Sequence, residues 1–157
     1  NLMSDLALMI VDAFRSDQVD VVIGSTVGGA IFAQVVAREY QQTTGRKVSA
    51  VFVDKLYDPM KQGIFAVREA LKPFLKGNML VVDDVITTGG SPRGVAEISS
   101  HIGGSGAHVV GIGAIWNRGQ VTAKCLGTSK LYSAVDCFLP AWKESECPEC
   151  ATSRRQA

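Results

Sequence analysis

Val81-Val82-Asp83-Asp84-Val85-Ile86-Thr87-Thr88-Gly89-Gly90-Ser91-Pro92 is the stretch that decides the fold. An apolar strand ends in two adjacent carboxylates, a loop rich in hydroxyls and glycines follows, and a Ser-Pro pair opens a helix. Glycines let the backbone come close to an anion, hydroxyls add donors, and a helix N terminus supplies unpaired N–H groups. The order therefore builds a site for a sugar phosphate, with Thr87, Thr88, Gly89, Gly90 and Ser91 around the phosphate. Ser91 is the expected N-cap and Pro92 the first helical residue. Asp83 and Asp84 would face the sugar hydroxyls and a Mg²⁺ ion. A plain strand-to-helix turn is the alternative, but a turn alone needs no pair of acids before it. Solvated or helix-capping acids are the corresponding alternative for Asp83 and Asp84.

The flanking sequence alternates helix and strand. Leu2, Leu6, Met9, Ile10, Ala13 and Phe14 recur at helical spacing, and Ser16 with Asp17 ends that helix. Val19 to Ile23 is a short apolar strand, Gly24 to Gly29 a loop, and Ala30 to Gln42 a well-buried helix stopped by Thr43-Thr44-Gly45. Val48 to Val53 is the second strand. Asp54 to Gln62 reads as a loop or an exposed hairpin tip, with Ile64 to Val67 as its returning strand. Met79 to Val82 is the central strand; Val95, Ile98 and Ile102 form one helical stripe that Gly103-Gly104 stops. His108 to Trp116 and Leu131 to Val135 are the remaining strands. Strands apolar throughout and alternating with helices predict an α/β fold: three layers, with a mostly parallel central sheet between helices. Ligands of such sheets bind beyond the carboxyl ends of the strands, where the loops after Ile23 and Val82 both lie. The loop Gly24-Ser25-Thr26-Val27-Gly28-Gly29 is thus a second candidate anion site, although alone it reads equally as a tight turn.

Composition sets the bounds. The 157 residues suit one domain, placed at 1–150, with a polar, flexible tail at 151–157. At 46% hydrophobic and 20% charged residues the chain reads as globular, and a net charge of +1 argues against a nucleic-acid surface. No apolar run is long enough to span a bilayer, and no signal peptide is evident, so a cytoplasmic location is expected. Cys125, Cys137, Cys147 and Cys150 include a Cys147-Pro148-Glu149-Cys150 pair. Reduced thiols, a structural metal and a disulfide all remain open for them. His101 and His108 have no metal-site spacing and read as structural or surface histidines.

The run from Val81 to Pro92 closely resembles the phosphoribosyl-pyrophosphate (PRPP) binding motif of type I phosphoribosyltransferases. From the first helix to Cys150 the chain is most similar to the orotate-using members. The features that carry this are Val51-Phe52-Val53-Asp54-Lys55, Ala114-Ile115-Trp116-Asn117-Arg118-Gly119, Pro140-Ala141-Trp142 and the Cys-Pro-x-Cys ending. The resemblance implies a type I phosphoribosyltransferase-like, Rossmann-like fold. It also implies transfer of the phosphoribosyl group of PRPP to orotate, giving orotidine 5′-monophosphate and pyrophosphate in pyrimidine synthesis. Asp83, Asp84 and Lys55 would then be catalytic, and Thr87 to Ser91 would hold the 5′-phosphate. Ser25, Thr26, Val27, Gly28, Gly29 and Lys61 would hold the pyrophosphate, and Thr87 and Arg118 the orotate, whose carboxylate an arginine fork matches in plane. Mg²⁺ would come with PRPP, near Asp83 and Asp84, without a direct protein ligand. A homodimer is implied, with a mobile basic loop closing over the site, often that of the neighbouring subunit. Arg118, Lys55 and Lys61 have the plainer alternative of surface cations.

Three departures from the family stand out. The N-terminal hood that helps grip the base would precede Asn1, the basic residue before the loop lysine is Asp54, and the loop Leu56 to Gln62 carries few cations. The other readings are therefore transfer to a different nucleobase, a PRPP-sensing regulator that binds nucleic acid, or a PRPP-binding protein without catalysis.

Overall fold

The computed structural model describes residues 1–58, 61–142 and 146–148, without the side chains of residues 57, 58 and 61–63. The tail at 151–157, Cys150 and the Lys61 side chain lie outside the described residues. The elements in chain order are α1 (Leu2–Ala13), β1 (Val21–Ser25), α2 (Gly28–Thr44), β2 (Ser49–Asp58), β3 (Lys61–Ala66), β4 (Gly77–Ile86), α3 (Gly90–Gly103), β5 (Ala107–Asn117) and β6 (Leu131–Val135). The six strands form one sheet in the order β3-β2-β1-β4-β5-β6. Every pairing is parallel except β2 with β3, the expected hairpin.

Alternation along the strands makes the three layers. Val22, Leu80 and Val82 face α1 and α2, packing on Ile10, Phe14, Phe32 and Val36. Their neighbours Val21, Ile23, Met79 and Val81 face the other way, packing with Val95 of α3. Strands buried on both faces are why these segments are continuous apolar runs rather than alternating ones. The hairpin is drawn onto α3 at Gly94, where a Cβ would stand 2.2 Å from the Phe65 ring.

Several boundaries differ from the sequence expectation. The helix expected to start at Ala30 starts at Gly28, so two of the loop glycines form its first turn. The central strand does not stop at Val82; pairing of Val85 with Trp116 and Ile86 with Asn117 carries it through both aspartates. The expected loop from Asp54 is strand as far as Asp58. Ser91 is not the N-cap of α3: Gly89 is, in the left-handed region at φ 79°, which puts Ser91 and Pro92 second and third in the helix. Pro92 is tolerated there because N–H groups of the first turn lack helical partners in any case.

Tyr40 fixes α2 against the preceding connection. Its buried hydroxyl donates to Phe14 O at 2.9 Å and accepts the Val19 N–H at 3.2 Å. Tyr40→Phe leaves that N–H buried and unpaired, and should cost about 1–3 kcal/mol, read as a Tm lowered by several degrees. Ser99 of α3 is the reverse case, a buried hydroxyl without a hydrogen-bond partner among the described residues. Ser99→Ala should leave Tm unchanged or raise it; a clear fall would contradict the buried, unpaired hydroxyl.

Candidate active site

The strand order places the site. From β1 the chain crosses to β2 on one side, and from β4 to β5 on the other, so a crevice opens between the carboxyl ends of β1 and β4. Ser25, Thr26, Val27, Gly28 and Gly29 enter it from β1; Asp83, Asp84, Thr87, Thr88, Gly89, Gly90 and Ser91 enter it from β4. The structure thus brings together two stretches that lie more than fifty residues apart in sequence.

Contact between them is direct. A Cβ on Gly28 would lie 2.1 Å from an Asp84 carboxylate oxygen, and one on Gly29 would lie 3.0 Å from Asp83 Oδ1. Both acids therefore sit against the first turn of α2, the positive end of its dipole. Asp84 is exposed and Asp83 is only 5% exposed. Burial, reinforced by the charge of Asp84, pushes the Asp83 carboxyl up to about 7, against the counteracting charge of Lys55. The acid pair is short of positive charge.

The two helices that start at the crevice share a property. The N-cap residues, Val27 for α2 and Gly89 for α3, make no side-chain cap hydrogen bond. α1, away from the crevice, is capped by Asn1, whose side chain accepts the Met3 N–H at 2.9 Å. Uncapped N termini leave N–H donors for an anion.

Lys55 binds both halves. Its backbone N–H donates to Thr26 Oγ1 at 3.1 Å and its Nζ to Ser91 Oγ at 3.0 Å. Thr26 is held further by its own N–H on Val53 O at 2.9 Å. Neighbouring Asp54 takes a fork from Arg68, at 2.8 and 3.3 Å, so the acid that stands in a basic position is ion-paired. On the other flank the Gly119 N–H donates to Ile86 O at 3.2 Å, which sets Arg118 level with Thr87. The Nε and Nη2 groups of Arg118 donate to the carbonyls of Leu139 and Pro140.

Three features escaped the sequence reading. Gly28 and Gly29 make room for carboxylates as well as opening a helix; Arg68 offsets Asp54; and the segment after β6 reaches back to Arg118. Only the first had a local signal, the paired glycines. Cys125 and Cys137 are exposed free thiols, and among the described residues no group of three or more His, Cys, Asp and Glu side chains is arranged to hold a metal ion. No helix among the described residues is long and apolar enough to cross a membrane.

Residues 2–143 match the family model described as the phosphoribosyl transferase domain. The chain is 32% identical over 137 residues to an orotate phosphoribosyltransferase of Thermoanaerobacter sp. (strain X514), covering 87% of this chain and 64% of that protein. It therefore spans less than two thirds of that relative's length. The fold matches the Mycobacterium tuberculosis H37Rv orotate phosphoribosyltransferase in complex with 5-phospho-α-D-ribosyl 1-diphosphate. There the TM-score is 0.60 and the identity 22%, over 85% of this chain and 72% of that one. It also matches the adenine phosphoribosyltransferase of Thermoanaerobacter pseudethanolicus, with TM-score 0.62 and 19% identity, over 85% and 80%. Its near-complete match to the family model, on a sheet whose switch point carries the motif, makes this chain a member of the phosphoribosyltransferase family.

Proposed function

We propose that this chain transfers the phosphoribosyl group of PRPP to orotate, giving orotidine 5′-monophosphate and pyrophosphate. One observation carries the reading: two uncapped helix N termini open onto one crevice with an acid pair between them. A donor with a phosphate at one end and a pyrophosphate at the other, joined by a ribose, matches that spacing of chemistry. The relatives' names support orotate as the acceptor, and the M. tuberculosis complex supports PRPP as the donor.

In this reading Thr87, Thr88, Gly89, Gly90 and Ser91 wrap the 5′-phosphate at the start of α3. Ser25, Thr26, Val27, Gly28 and Gly29 take the pyrophosphate at the start of α2, joined by Lys55 and Lys61. Asp83 and Asp84 accept hydrogen bonds from the ribose hydroxyls. As the bond from ribose C1 to pyrophosphate breaks, the electron pair leaves with the pyrophosphate and C1 becomes cationic. The carboxylates stabilise that charge without attacking it. Orotate N1 forms the new bond to C1 and its proton passes to the departing pyrophosphate, with Thr87 and Arg118 orienting the base. An oxygen donor pair short of positive charge fits a hard divalent cation that keeps most of its waters. Mg²⁺ carried with PRPP would supply neutralisation of the departing pyrophosphate. A homodimer belongs to the same reading, in line with the apolar side chain of Ile31 on α2, which is 58% exposed.

The test is loss of orotate absorbance on mixing the protein with PRPP, Mg²⁺ and orotate. Turnover is expected, and Asp83→Ala/Asp84→Ala should lower kcat by about a hundredfold or more. Turnover of adenine but not orotate would replace the acceptor. PRPP binding without turnover of any base would sink the enzymatic reading.

Asp83 also predicts a pH dependence of stability. Its carboxyl keeps its proton in the folded chain up to about 7, whereas an unfolded chain loses it near 4. Between those values the native state binds more protons, so stability falls as pH rises and levels off above about 7. Asp83→Asn removes the buried charge. Its Tm relative to the wild type should rise between pH 5 and pH 8, although activity is lost. A gap that stays constant with pH would contradict the raised carboxyl.

A further inference from the structure

Arg118 differs from the other arginines of the described chain. Arg15, Arg38, Arg46, Arg68 and Arg93 each pair with a carboxylate. Arg118 instead donates from Nε to Leu139 O at 3.3 Å and from Nη2 to Pro140 O at 3.1 Å. Its own carbonyl accepts the Leu139 N–H at 3.0 Å. Two backbone carbonyls fix the plane of the guanidinium without cancelling its charge.

The segment that does this is itself pinned. The indole N–H of Trp116 donates to Cys137 O at 2.8 Å. Trp116 pairs with Val85 in the sheet, and its ring lies 5.8 Å from the Arg118 guanidinium carbon. Residues 137–140 thus form a strap over the end of β5, anchored on Trp116 and closed on Arg118. Leu139, at 47% exposure, has its side chain turned largely to solvent, so the strap acts there through its backbone.

A guanidinium offers a carboxylate two edges for paired hydrogen bonds: the side edge, Nε with Nη2, and the end edge, Nη1 with Nη2. The strap occupies the side edge. The end edge has no partner among the described residues, and Arg118 stands level with Thr87 at the mouth of the crevice.

We infer that the strap Cys137–Pro140 is a specificity element of the acceptor site. It holds Arg118 by its side edge so that the end edge meets an acceptor carboxylate in plane. Trp116 is the positioning residue that anchors it. The inference rests on the proposed reading of Arg118 as the contact to the acceptor carboxylate.

Trp116→Phe keeps a ring beside the guanidinium and deletes only the indole donor. Leu139→Pro deletes the N–H to the Arg118 carbonyl from the other end of the strap. Each should raise KM for orotate about 3- to 10-fold, as expected for one lost hydrogen bond. KM for PRPP and kcat should move less than about twofold, and preference for orotate over uracil should fall by the same factor as the orotate term. A merely structural role would move both Michaelis constants and kcat together, as would partial unfolding, and would leave the orotate-to-uracil ratio intact. Wild-type turnover of orotate with both variants matching it in that ratio overturns the strap and leaves the proposed reaction standing. A wild type that does not use orotate overturns both.

Discussion

At Gly28 no side chain can exist while Asp84 stays where it is, because a Cβ would come within 2.1 Å of its carboxylate. The first turn of α2 and the end of β4 therefore meet backbone to acid, with nothing between. This closeness makes a single crevice of two separate strand ends. It also sets the acids against the positive end of a 17-residue helix, while burial pushes the Asp83 carboxyl up. The α2 position that makes this possible is in turn fixed by Tyr40 and the core shared by α1 and α2.

The charge arrangement around the crevice is economical. Lys55 is the cation whose field reaches Asp83, and Arg68 offsets Asp54 beside it. Seen only as a row of letters, Asp54 in place of a basic residue reads as a loss. In the fold, an arginine from beyond the hairpin supplies the balancing positive charge at the same place. The Asp54–Arg68 pair thus leaves the place beside Lys55 neutral rather than negative.

Much of this was legible in the chain. Apolar runs alternating with helical stripes gave the layers, and Val81 to Pro92 marked the site, because strand, acids, hydroxyls and glycines follow one another locally. What sequence could not place were features decided by tertiary pairing. β4 runs on through Asp83 and Asp84 because Val85 and Ile86 find partners on β5, not because of any propensity of their own. Ser91 has the composition of a cap, yet its hydroxyl is engaged by Lys55 and the left-handed Gly89 takes the cap position. The family resemblance singled out Arg118, but its orientation depends on carbonyls some twenty residues later.

Lys55 has one more consequence. Its backbone grips Thr26 while its side chain grips Ser91, so one residue ties together the two loops to which the proposed reading assigns the anions. The two loops are thus linked through Lys55 rather than standing as independent receptors. A ligand with an anion at each end is held like a bivalent one: engaging the first end raises the effective concentration of the second. Phosphate or pyrophosphate alone gains none of this. The affinity of the intact donor should therefore exceed what the two fragments suggest separately, and after the bond between them breaks each product is held by one loop only.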